Sequence, residues 1–173
     1  ITIARDAHGG QGPLVTANGA AAVTIALNLL FGRQTQVLLD NLATTAQSVV
    51  TLNTFDLNFV TGNDGLLSGN DGRAALLIQN TVGTTVAPVL VQGNSFTAPI
   101  SVGVNGFTGG TMDAIRIVDS RLVTASINAF RGVRFAFRTQ NVTATSINRA
   151  VADSISTLVS AEGLDSLTLN NDT

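Results

Sequence analysis

The chain of 173 residues contains no cysteine, lysine, tryptophan or tyrosine, and His8 is its single histidine. Without cysteine it has neither disulfide bonds nor thiolate metal sites. One histidine supplies neither a Ser-His-Asp triad nor a cluster of histidine metal ligands. All eight aromatic residues are phenylalanines. That composition favours an aromatic core over an exposed surface for stacking on sugar rings.

Charged residues are also scarce. They make up 12% of the chain, about half of the usual share of 25%, and Glu162 is the single glutamate. Because surface helices usually carry Glu–Lys pairs, this composition favours an all-β protein. The hydrophobic content of 45% argues against disorder. The net charge of −2 gives no reason to expect nucleic acid as a partner.

The length predicts a single domain that covers residues 1–173. The longest apolar run, 19–32, contains Thr24 and Asn28 and is too short to span a bilayer. This run also lacks the basic flank of a signal peptide. Because the chain begins with Ile1, we expect a processed form or a fragment.

Three stretches share one pattern, in which two apolar residues alternate with other residues and a polar turn follows. The stretches are 89–97, 115–123 and 135–143, and 75–82 fits the same pattern. A short strand followed by a polar corner is what one turn of a parallel β-solenoid requires. We expect asparagines at the corners to hydrogen-bond along the stack. The residues predicted to point inward are Ala75, Leu77, Val82, Val89, Val91, Phe96, Ile115, Ile117, Leu122, Phe135, Phe137 and Val142.

The rest of the chain gives weaker patterns. Residues 1–20 are rich in glycine and predict an irregular segment, and the alternation over 23–29 predicts a strand, with an alanine-rich helix over 20–31 as the alternative. Helical spacing of apolar residues, with Ser146 before them and Gly163 after them, predicts a helix at about 147–160. A last strand is expected over 167–169.

The strand-and-corner pattern resembles the pectin-lyase-like right-handed parallel β-helices, which include polysaccharide lyases, phage tailspikes and autotransporter passengers. The resemblance implies an all-β solenoid. The repeated stretches begin at residues 75, 89, 115 and 135, so the steps between them are 14, 26 and 20 residues. The 14-residue step indicates either that one stretch lies on a different face or that the fold is a β-sandwich or jelly roll.

Gly-Asn-Asp-Gly occurs twice, at 62–65 and 69–72. The repeat resembles part of the nonapeptide calcium motif of RTX β-rolls, which implies Asp64 and Asp71 as Ca²⁺ ligands. Two tight turns explain the same residues without a metal. Calcium is the one cofactor that the sequence suggests, and the turn interpretation is preferred.

An enzymatic or polysaccharide-binding function is one interpretation. Arg116 and Arg138 take outward positions in the pattern, and Asp113 and Asp119 lie close to them in sequence. The resemblance implies that such residues bind or cleave an acidic polysaccharide, as in a lyase, a hydrolase or a phage spike. Solubilising charges on exposed strands are the preferred explanation of the same residues. We therefore expect no catalytic centre.

A structural function explains more of the sequence. In the pattern Leu76, Ile78, Leu90 and Val118 take outward positions and form an apolar stripe, which is typical of an interface. Leu167 and Leu169 belong to the last expected strand, whose edge can pair with another chain. The sequence therefore predicts an extracellular or cell-surface structural protein that self-assembles as a homo-oligomer, a filament, a surface fibre or part of an adhesin.

Overall fold

The computed structural model of the chain describes residues 13–31, 35–57, 74–98, 102–103, 106–107, 113–163, 166–170 and 172, and these residues are all-β. Short runs rich in valine, isoleucine, leucine and threonine alternate with asparagine, glycine and serine turns, which favours strands over helices. In chain order the strands are β1 (Val15–Asn18), β2 (Thr24–Ala26), β3 (Leu29–Phe31), β4 (Val37–Asp40), β5 (Ser48–Thr51), β6 (Thr54–Asp56), β7 (Leu76–Gln79), β8 (Val89–Gln92), β9 (Ser95–Thr97), β10 (Val102–Gly103), β11 (Gly106–Phe107), β12 (Asp113–Val118), β13 (Val123–Ser126), β14 (Ala129–Arg131), β15 (Phe135–Gln140), β16 (Thr145–Asn148), β17 (Val151–Asp153), β18 (Thr157–Glu162) and β19 (Leu167–Asn170).

The strands form three parallel sheets. Sheet A contains β1, β4, β7, β12, β15 and β18, sheet B contains β2, β5, β8, β13, β16 and β19, and sheet C contains β3, β6, β9, β14 and β17. A further pair, β10 and β11, is antiparallel. The chain therefore visits sheets A, B and C in turn. We call each such passage a rung, so that rung 1 is β1 to β3, rung 2 is β4 to β6 and rung 3 is β7 to β9.

This topology is consistent with a parallel β-helix. Each strand of a rung pairs in parallel with the corresponding strand of the next rung. A β-sandwich or jelly roll is built from antiparallel pairs, and therefore the alternative prediction does not agree with the observed pairing. Rung 4 consists of β12 to β14, rung 5 of β15 to β17, and rung 6 of β18 and β19.

The register explains the uneven spacing of the repeated stretches. Hydrogen-bonded residues of neighbouring rungs are 22 positions apart at Asn18 and Asp40, and 39 apart at Leu42 and Thr81. Val89 begins a strand of sheet B, whereas Ile115 lies in sheet A. The 14-residue step is therefore a passage from one sheet to the next within rung 3, and the expectation of a different face is confirmed.

The core lies between the three sheets. Most of the residues predicted to point inward are buried, which confirms the alternation of apolar residues as the signal of an inner face. The confirmed inward residues are Val89, Val91, Phe96, Ile115, Ile117, Phe137 and Val142, whereas Ala75 is buried beside Ala114 on the opposite face of sheet A.

Four phenylalanines form a continuous aromatic column inside the core. The rings of Phe55 and Phe96 are stacked with centroids 4.4 Å apart, and Phe96 and Phe130 are stacked at 5.2 Å. Phe137 contacts Phe130 edge to face at 4.9 Å. Strands of neighbouring rungs are about 4.8 Å apart, so stacking of equivalent rings follows directly from the parallel register. The column spans rungs 2 to 5.

A column of buried asparagines follows the corner between sheets B and C. The Oδ1 atom of Asn53 accepts hydrogen bonds from the backbone N–H of Asn28 at 3.0 Å and from its Nδ2 at 2.9 Å. The same pair of bonds connects Asn53 to Asn94 and Asn94 to Asn128. One bond of each pair satisfies a backbone N–H that the corner would otherwise leave without a partner, and the other satisfies a side-chain amide. Hydrogen bonding of corner asparagines along the stack is thus confirmed.

Many corners contain a residue in the left-handed region. Asn41, Asn80 and Asn141 have φ near 50° at the corner between sheets A and B, a conformation that asparagine tolerates well. Leucine and isoleucine adopt it at the corner between sheets B and C, with φ of 58° at Leu27 and 55° at Ile127. One such residue reverses the direction of alternation and redirects the chain into the next sheet.

The predicted helix at 147–160 is wrong, because these residues belong to strands of three different sheets. Ile147 lies in β16 of sheet B, Val151 in β17 of sheet C, and Val159 in β18 of sheet A. Left-handed residues at Arg149 and Ser154 separate the strands. The helical spacing therefore arises from consecutive short strands rather than from one helix face.

The N-terminal prediction is partly wrong. Residues 1–12 lie outside the described residues, but β1 occupies 15–18 of the segment that was expected to be irregular. The strand expected over 23–29 is β2, and the alternative helix over 20–31 is wrong. Alternation ends at Leu27, where φ is 58°. Leu27 and Leu29 consequently point to solvent rather than to the core.

The orientation predicted for 75–82 is also wrong by one position. Leu76 pairs with Ile115 in the register of sheet A, so Leu76 and Ile78 are fully buried, whereas Leu77 points outward and Val82 is exposed. A slip of one residue moves every side chain of a strand to the opposite face.

Leu122 was also predicted to point inward. It has φ of 56° and is half-buried.

Candidate functional site

Several of the predicted polar residues belong to a cluster of charged side chains on sheet A. Asp113 begins β12, and its buried carboxylate accepts hydrogen bonds at Oδ1 from the Nε of Arg134 at 2.9 Å and from a terminal nitrogen of the same guanidinium at 2.6 Å. Arg138 lies 3.9 Å from the other carboxylate oxygen. Charge-assisted bonds to guanidinium groups offset much of the cost of burying a carboxylate.

Two further partners extend the cluster along sheet A. Arg138 donates to Glu162 at 2.9 Å in rung 6, and Arg116 donates to Gln140 at 3.3 Å in rung 5. Arg116 and Arg138 are directly paired in register, which is why their side chains share one face. The cluster therefore connects rungs 4, 5 and 6.

Phe135 belongs to this cluster rather than to the core. It was predicted to point inward, but it is half-buried. The guanidinium carbon of Arg134 lies 4.7 Å from its ring centroid, and that of Arg138 lies at 5.7 Å. These distances suit cation–π interactions. Phe135 pairs with Asp113 at the start of β15, whereas Phe137, which pairs with Ile115, is the fully buried phenylalanine of this strand.

Burial raises the pKa of the Asp113 carboxyl above its ordinary value of 3.8. The hydrogen bond from Arg134 and the charges of Arg134, Arg138 and Arg116 act in the opposite direction, but they do not cancel the desolvation. A perturbed carboxyl group is often a sign of a functional site. Here the carboxylate is enclosed by side chains of its own chain.

The cluster is not an open binding surface. Ala114 and Ala136, on the face of sheet A opposite to Ile115 and Phe137, are buried as well. Arg138 on the same face is also buried. Since the guanidinium groups of Arg134 and Arg138 donate to carboxylates of the protein, the geometry favours a structural role for the cluster.

The structure brings together three of the four residues considered for polysaccharide binding. Asp113, Arg116 and Arg138 belong to the cluster on sheet A. Asp119 instead lies at the exposed corner after β12, where its Oδ1 accepts a hydrogen bond from Asn141 at 3.0 Å. Asp119 has φ of 46°, and its side chain connects neighbouring rungs at the corner between sheets A and B rather than joining the cluster.

The metal prediction is not tested. Asp64 and Asp71 lie outside the described residues. Within the part of the chain that the structure describes, no group of three or more histidine, cysteine, aspartate or glutamate side chains is placed to hold a metal ion.

The predicted apolar stripe is replaced by another surface. Leu76 and Ile78 are buried in the core, and therefore they cannot contribute to an exposed stripe. Leu90 and Val118 do point outward but are half-buried. Leu167 is half-buried and Leu169 is exposed in β19, which pairs only with β16 among the described strands.

Exposed aliphatic residues concentrate at the corner between sheets B and C and on the adjoining outer side of sheet C. Eight large hydrophobic residues of the described chain are exposed, and five of them lie on this one face. We call it the apolar face. Its members, with exposed fractions of 52% to 78%, are Leu27, Leu29, Leu52, Ile127 and Val151.

The left-handed corners place these side chains outside. Leu27, Leu52 and Ile127 each have φ between 54° and 58°, and each precedes an asparagine of the buried column. At each of these corners the asparagine side chain points inward, and therefore the side chain of the residue directly before it points outward. This pattern, an aliphatic residue directly before a corner asparagine, is present in the sequence at all three positions, and the alternation of apolar residues alone does not find it.

Comparisons with protein-family models, with curated proteins and with solved structures find no match to this chain. In the described ranges there is also no helix with the length and apolar character needed to cross a bilayer.

Proposed function

We propose that the protein is a right-handed parallel β-helix that acts as an extracellular structural or adhesive element and self-associates through the apolar face. Right-handedness is proposed because crossover connections between parallel strands are almost always of that hand. The observation that carries the proposal is the concentration of Leu27, Leu29, Leu52, Ile127 and Val151 on one side of the rungs.

The size of the apolar contribution indicates weak, reversible association. Complete burial of an aliphatic side chain contributes roughly 1.5–3 kcal/mol, so burial of five such side chains contributes on the order of 10 kcal/mol. Association costs roughly 4–15 kcal/mol in lost freedom and ordering. We therefore expect a pair of copies to have a dissociation constant of roughly tens of micromolar at the tightest, and assemblies with several contacts to be more stable.

The rest of the structure supports a scaffold role. The asparagine column and the phenylalanine column both follow the stack through rungs 2 to 4, and each contributes order without presenting a reactive group. Parallel rungs with repeated side-chain ladders provide a rigid spacer whose outer faces are available for contacts.

The polysaccharide-binding alternative has less support. It needs arginines that are available to an acidic ligand, but Arg134 and Arg138 already donate to Asp113 and Glu162. An arginine cluster that is satisfied within the chain has to break its own ion pairs before it binds a carboxylate ligand.

Sedimentation equilibrium over a broad concentration range tests the proposal. Wild-type protein is expected to show reversible self-association, and Leu52→Asp, which puts a charge into the apolar face, is expected to be monomeric. Val86→Asp is the matched control, because Val86 is 88% exposed and lies away from the apolar face.

Circular dichroism is used to check that both variants keep the β fold. Wild-type protein that stays monomeric at every concentration would exclude the proposal. Equal association of wild type and Leu52→Asp would show that another surface is responsible.

A further inference from the structure

The outer side of sheet B forms a surface without charge. Two columns of outward residues run along the stack, and each rung contributes one residue to each column. From rung 1 to rung 6, the first column is Thr24, Val49, Leu90, Thr124, Ser146 and Thr168, and the second is Ala26, Thr51, Gln92, Ser126, Asn148 and Asn170. All of these residues are half-buried or exposed, and none of them is charged. We call this surface the neutral face.

The outward positions of the other two sheets do carry charges, and on each sheet both signs occur. The charged residues at these positions are Asp40, Arg116, Arg138 and Glu162 in sheet A, and Asp56, Arg131 and Asp153 in sheet C. A face without charge attracts neither anions nor cations over a distance. The partner that fits the neutral face is therefore itself uncharged.

The polar groups of the neutral face are ordered, and many of them are available to a ligand. The Ser146 hydroxyl donates to Thr124 at 3.3 Å, and the Asn170 amide donates to Asn148 at 2.8 Å. The polar side chains of this face that form no hydrogen bond with another described residue are Thr24, Thr51, Gln92, Ser126 and Thr168. Hydroxyl and carboxamide groups both donate and accept hydrogen bonds. Such groups exchange solvent for a ligand without breaking a contact of the protein.

The neutral face is also bordered by described residues. In rungs 1 to 5 the corners on either side of it belong to the part of the chain that the structure describes. The stretches 32–34, 58–73 and 99–101 lie outside that part, and all of them belong to connections between a strand of sheet C and the next strand of sheet A. None of these stretches is therefore adjacent to sheet B in the order of the chain.

We infer that the neutral face binds an uncharged polysaccharide with an extended backbone, whose chain lies along the two columns. This site is separate from the apolar face and goes beyond the proposed self-association. Sugar hydroxyls donate and accept hydrogen bonds, as the side chains of this face do. Strands of neighbouring rungs are about 4.8 Å apart, which is close to the length of one pyranose unit in an extended chain. Successive sugar units thus meet equivalent positions in successive rungs.

A second copy of the chain fits this face less well. Val49 and Leu90 are its two large aliphatic residues, and most of its other side chains are hydroxyls and amides. Serine is depleted in protein–protein interfaces, whose fully buried core is more apolar than the rest of the surface. A hydroxylated ligand suits such a face better, because it replaces the hydrogen bonds to water that the side chains lose.

The affinity is expected to depend on the length of the polysaccharide. The chain has no tryptophan or tyrosine, and none of its phenylalanines belongs to the neutral face. Each sugar unit therefore gains only hydrogen bonds and contacts with aliphatic groups such as Val49 and Leu90. A long chain engages several rungs at once, so oligosaccharides of two or three units are expected to bind about tenfold or more weakly than the polymer.

Affinity electrophoresis in native gels tests the inference. The gels contain galactomannan or hydroxyethyl cellulose, which are uncharged and have extended backbones, or polygalacturonate, which is acidic. The two neutral polymers are expected to retard the wild-type protein relative to a gel without polymer. Thr124→Arg puts a long side chain into the first column at rung 4 and is expected to raise the dissociation constant about tenfold or more. Thr97→Arg is the matched control, because Thr97 takes an outward, half-buried position in sheet C and the two variants have the same net charge.

The outcomes separate this inference from the proposed self-association. Wild-type protein that neither neutral polymer retards would overturn the inference, and so would equal retardation of Thr124→Arg and wild type. Stronger retardation by polygalacturonate would overturn it as well, because an acidic ligand points to the arginines of sheet A. Loss of self-association in Thr124→Arg, measured by sedimentation, would show that a second copy covers the neutral face instead. A monomeric wild-type protein that galactomannan retards would support the inference and exclude the proposed self-association.

Removal of single hydroxyls gives a second measurement. Thr51→Val and Thr124→Val keep the shape of the side chain, and each is expected to weaken the binding of galactomannan about threefold through the loss of one hydrogen bond. Thr97→Val is expected to bind as wild type does, and circular dichroism checks that all variants keep the β fold. Unchanged binding in both neutral-face variants would mean that the sugar does not contact these hydroxyls, and the inference would then be wrong.

Discussion

Individual asparagines at the corners connect each rung of this protein to the next. At the corner between sheets B and C, the side-chain oxygen of one asparagine accepts hydrogen bonds from both the backbone N–H and the amide of the asparagine one rung earlier. The column is interrupted at Ala150, which occupies the asparagine position in rung 5, and the backbone N–H of Ala150 donates to Asp172 at 2.7 Å. In rung 5 the buried methyl group of Ala150 thus takes the place of the asparagine amide.

Extending the column is expected to stabilise the protein. In Ala150→Asn the new side-chain oxygen would accept hydrogen bonds from the backbone N–H and the amide of Asn128, as Asn128 does for Asn94. Each new hydrogen bond contributes roughly 0.5–1.5 kcal/mol, and urea unfolding is expected to show a gain of about 1 kcal/mol. Ala150→Leu has similar bulk but no hydrogen-bonding group, so an equal effect of the two variants would contradict the ladder argument.

The phenylalanine column gives a second prediction for single residues. Truncation of Phe137 in Phe137→Ala leaves a cavity beside Phe130, and the free energy of unfolding is expected to fall by roughly 3–5 kcal/mol. Phe135→Ala on the same strand is the control, because Phe135 is half-buried and contacts Arg134 rather than the core. Equal losses for the two variants in urea unfolding would contradict the register of β15.

Whole elements show what the sequence could and could not predict. Alternation found the strands that contain Val89, Ile115 and Phe137 and their inner faces. It failed at 75–82, where Ala75 and Leu76 are both buried, so that hydrophobicity alone leaves the phase of the strand open. It also failed at 147–160, because single left-handed residues such as Ser154 end one strand and start the next without a proline or glycine signal.

The candidate site was only partly predictable for a related reason. Arg116, Arg138 and Asp113 were found because they are charged residues in an apolar pattern. Arg134 was not singled out, since its contact with Asp113 spans 21 positions between two rungs and depends on the register. The apolar face depends on the sign of φ at residues such as Leu27, and periodicity does not encode that sign.

Asp113, at the start of β12 and next to β15, also makes the free energy of unfolding depend on pH. Because burial raises its pKa above 3.8, the folded state binds this proton more tightly than the unfolded state. The contribution is therefore fully present below pH 3.8 and is lost as the pH rises through the folded-state pKa. As the pH rises through this range, we expect the free energy of unfolding of Asp113→Asn to increase relative to that of wild type.

Urea unfolding of both proteins at a series of pH values from below 3.8 to neutrality is the measurement. The difference between the two unfolding free energies is the quantity of interest, because it removes the titration of all other groups. A difference that is independent of pH, or one that changes in favour of wild type as the pH rises, would contradict the raised pKa.

At the scale of the whole molecule, each rung contacts only the rungs before and after it, so stability is expected to vary along the stack. Strands of rungs 2 to 4 alternate between buried and outward residues. In rung 6, β19 has one half-buried residue and three exposed ones. Stacked repeats behave approximately as a sum of nearest-neighbour terms, which places the weakest sections of the described chain at its two end rungs: rung 6, and rung 1, where β1 has no buried residue.

Amide hydrogen exchange of the 173-residue chain checks this gradient. Opening of β19 exposes little apolar surface and breaks only its pairing with β16, whereas opening of β8 separates both β5 and β13 and uncovers Val89 and Val91. Since local opening costs less where fewer buried contacts are lost, amides of β19 are expected to exchange on the order of a hundredfold faster than those of β8. Uniform protection across sheet B would mean that the rungs open together, and the additive description of the stack would then be wrong.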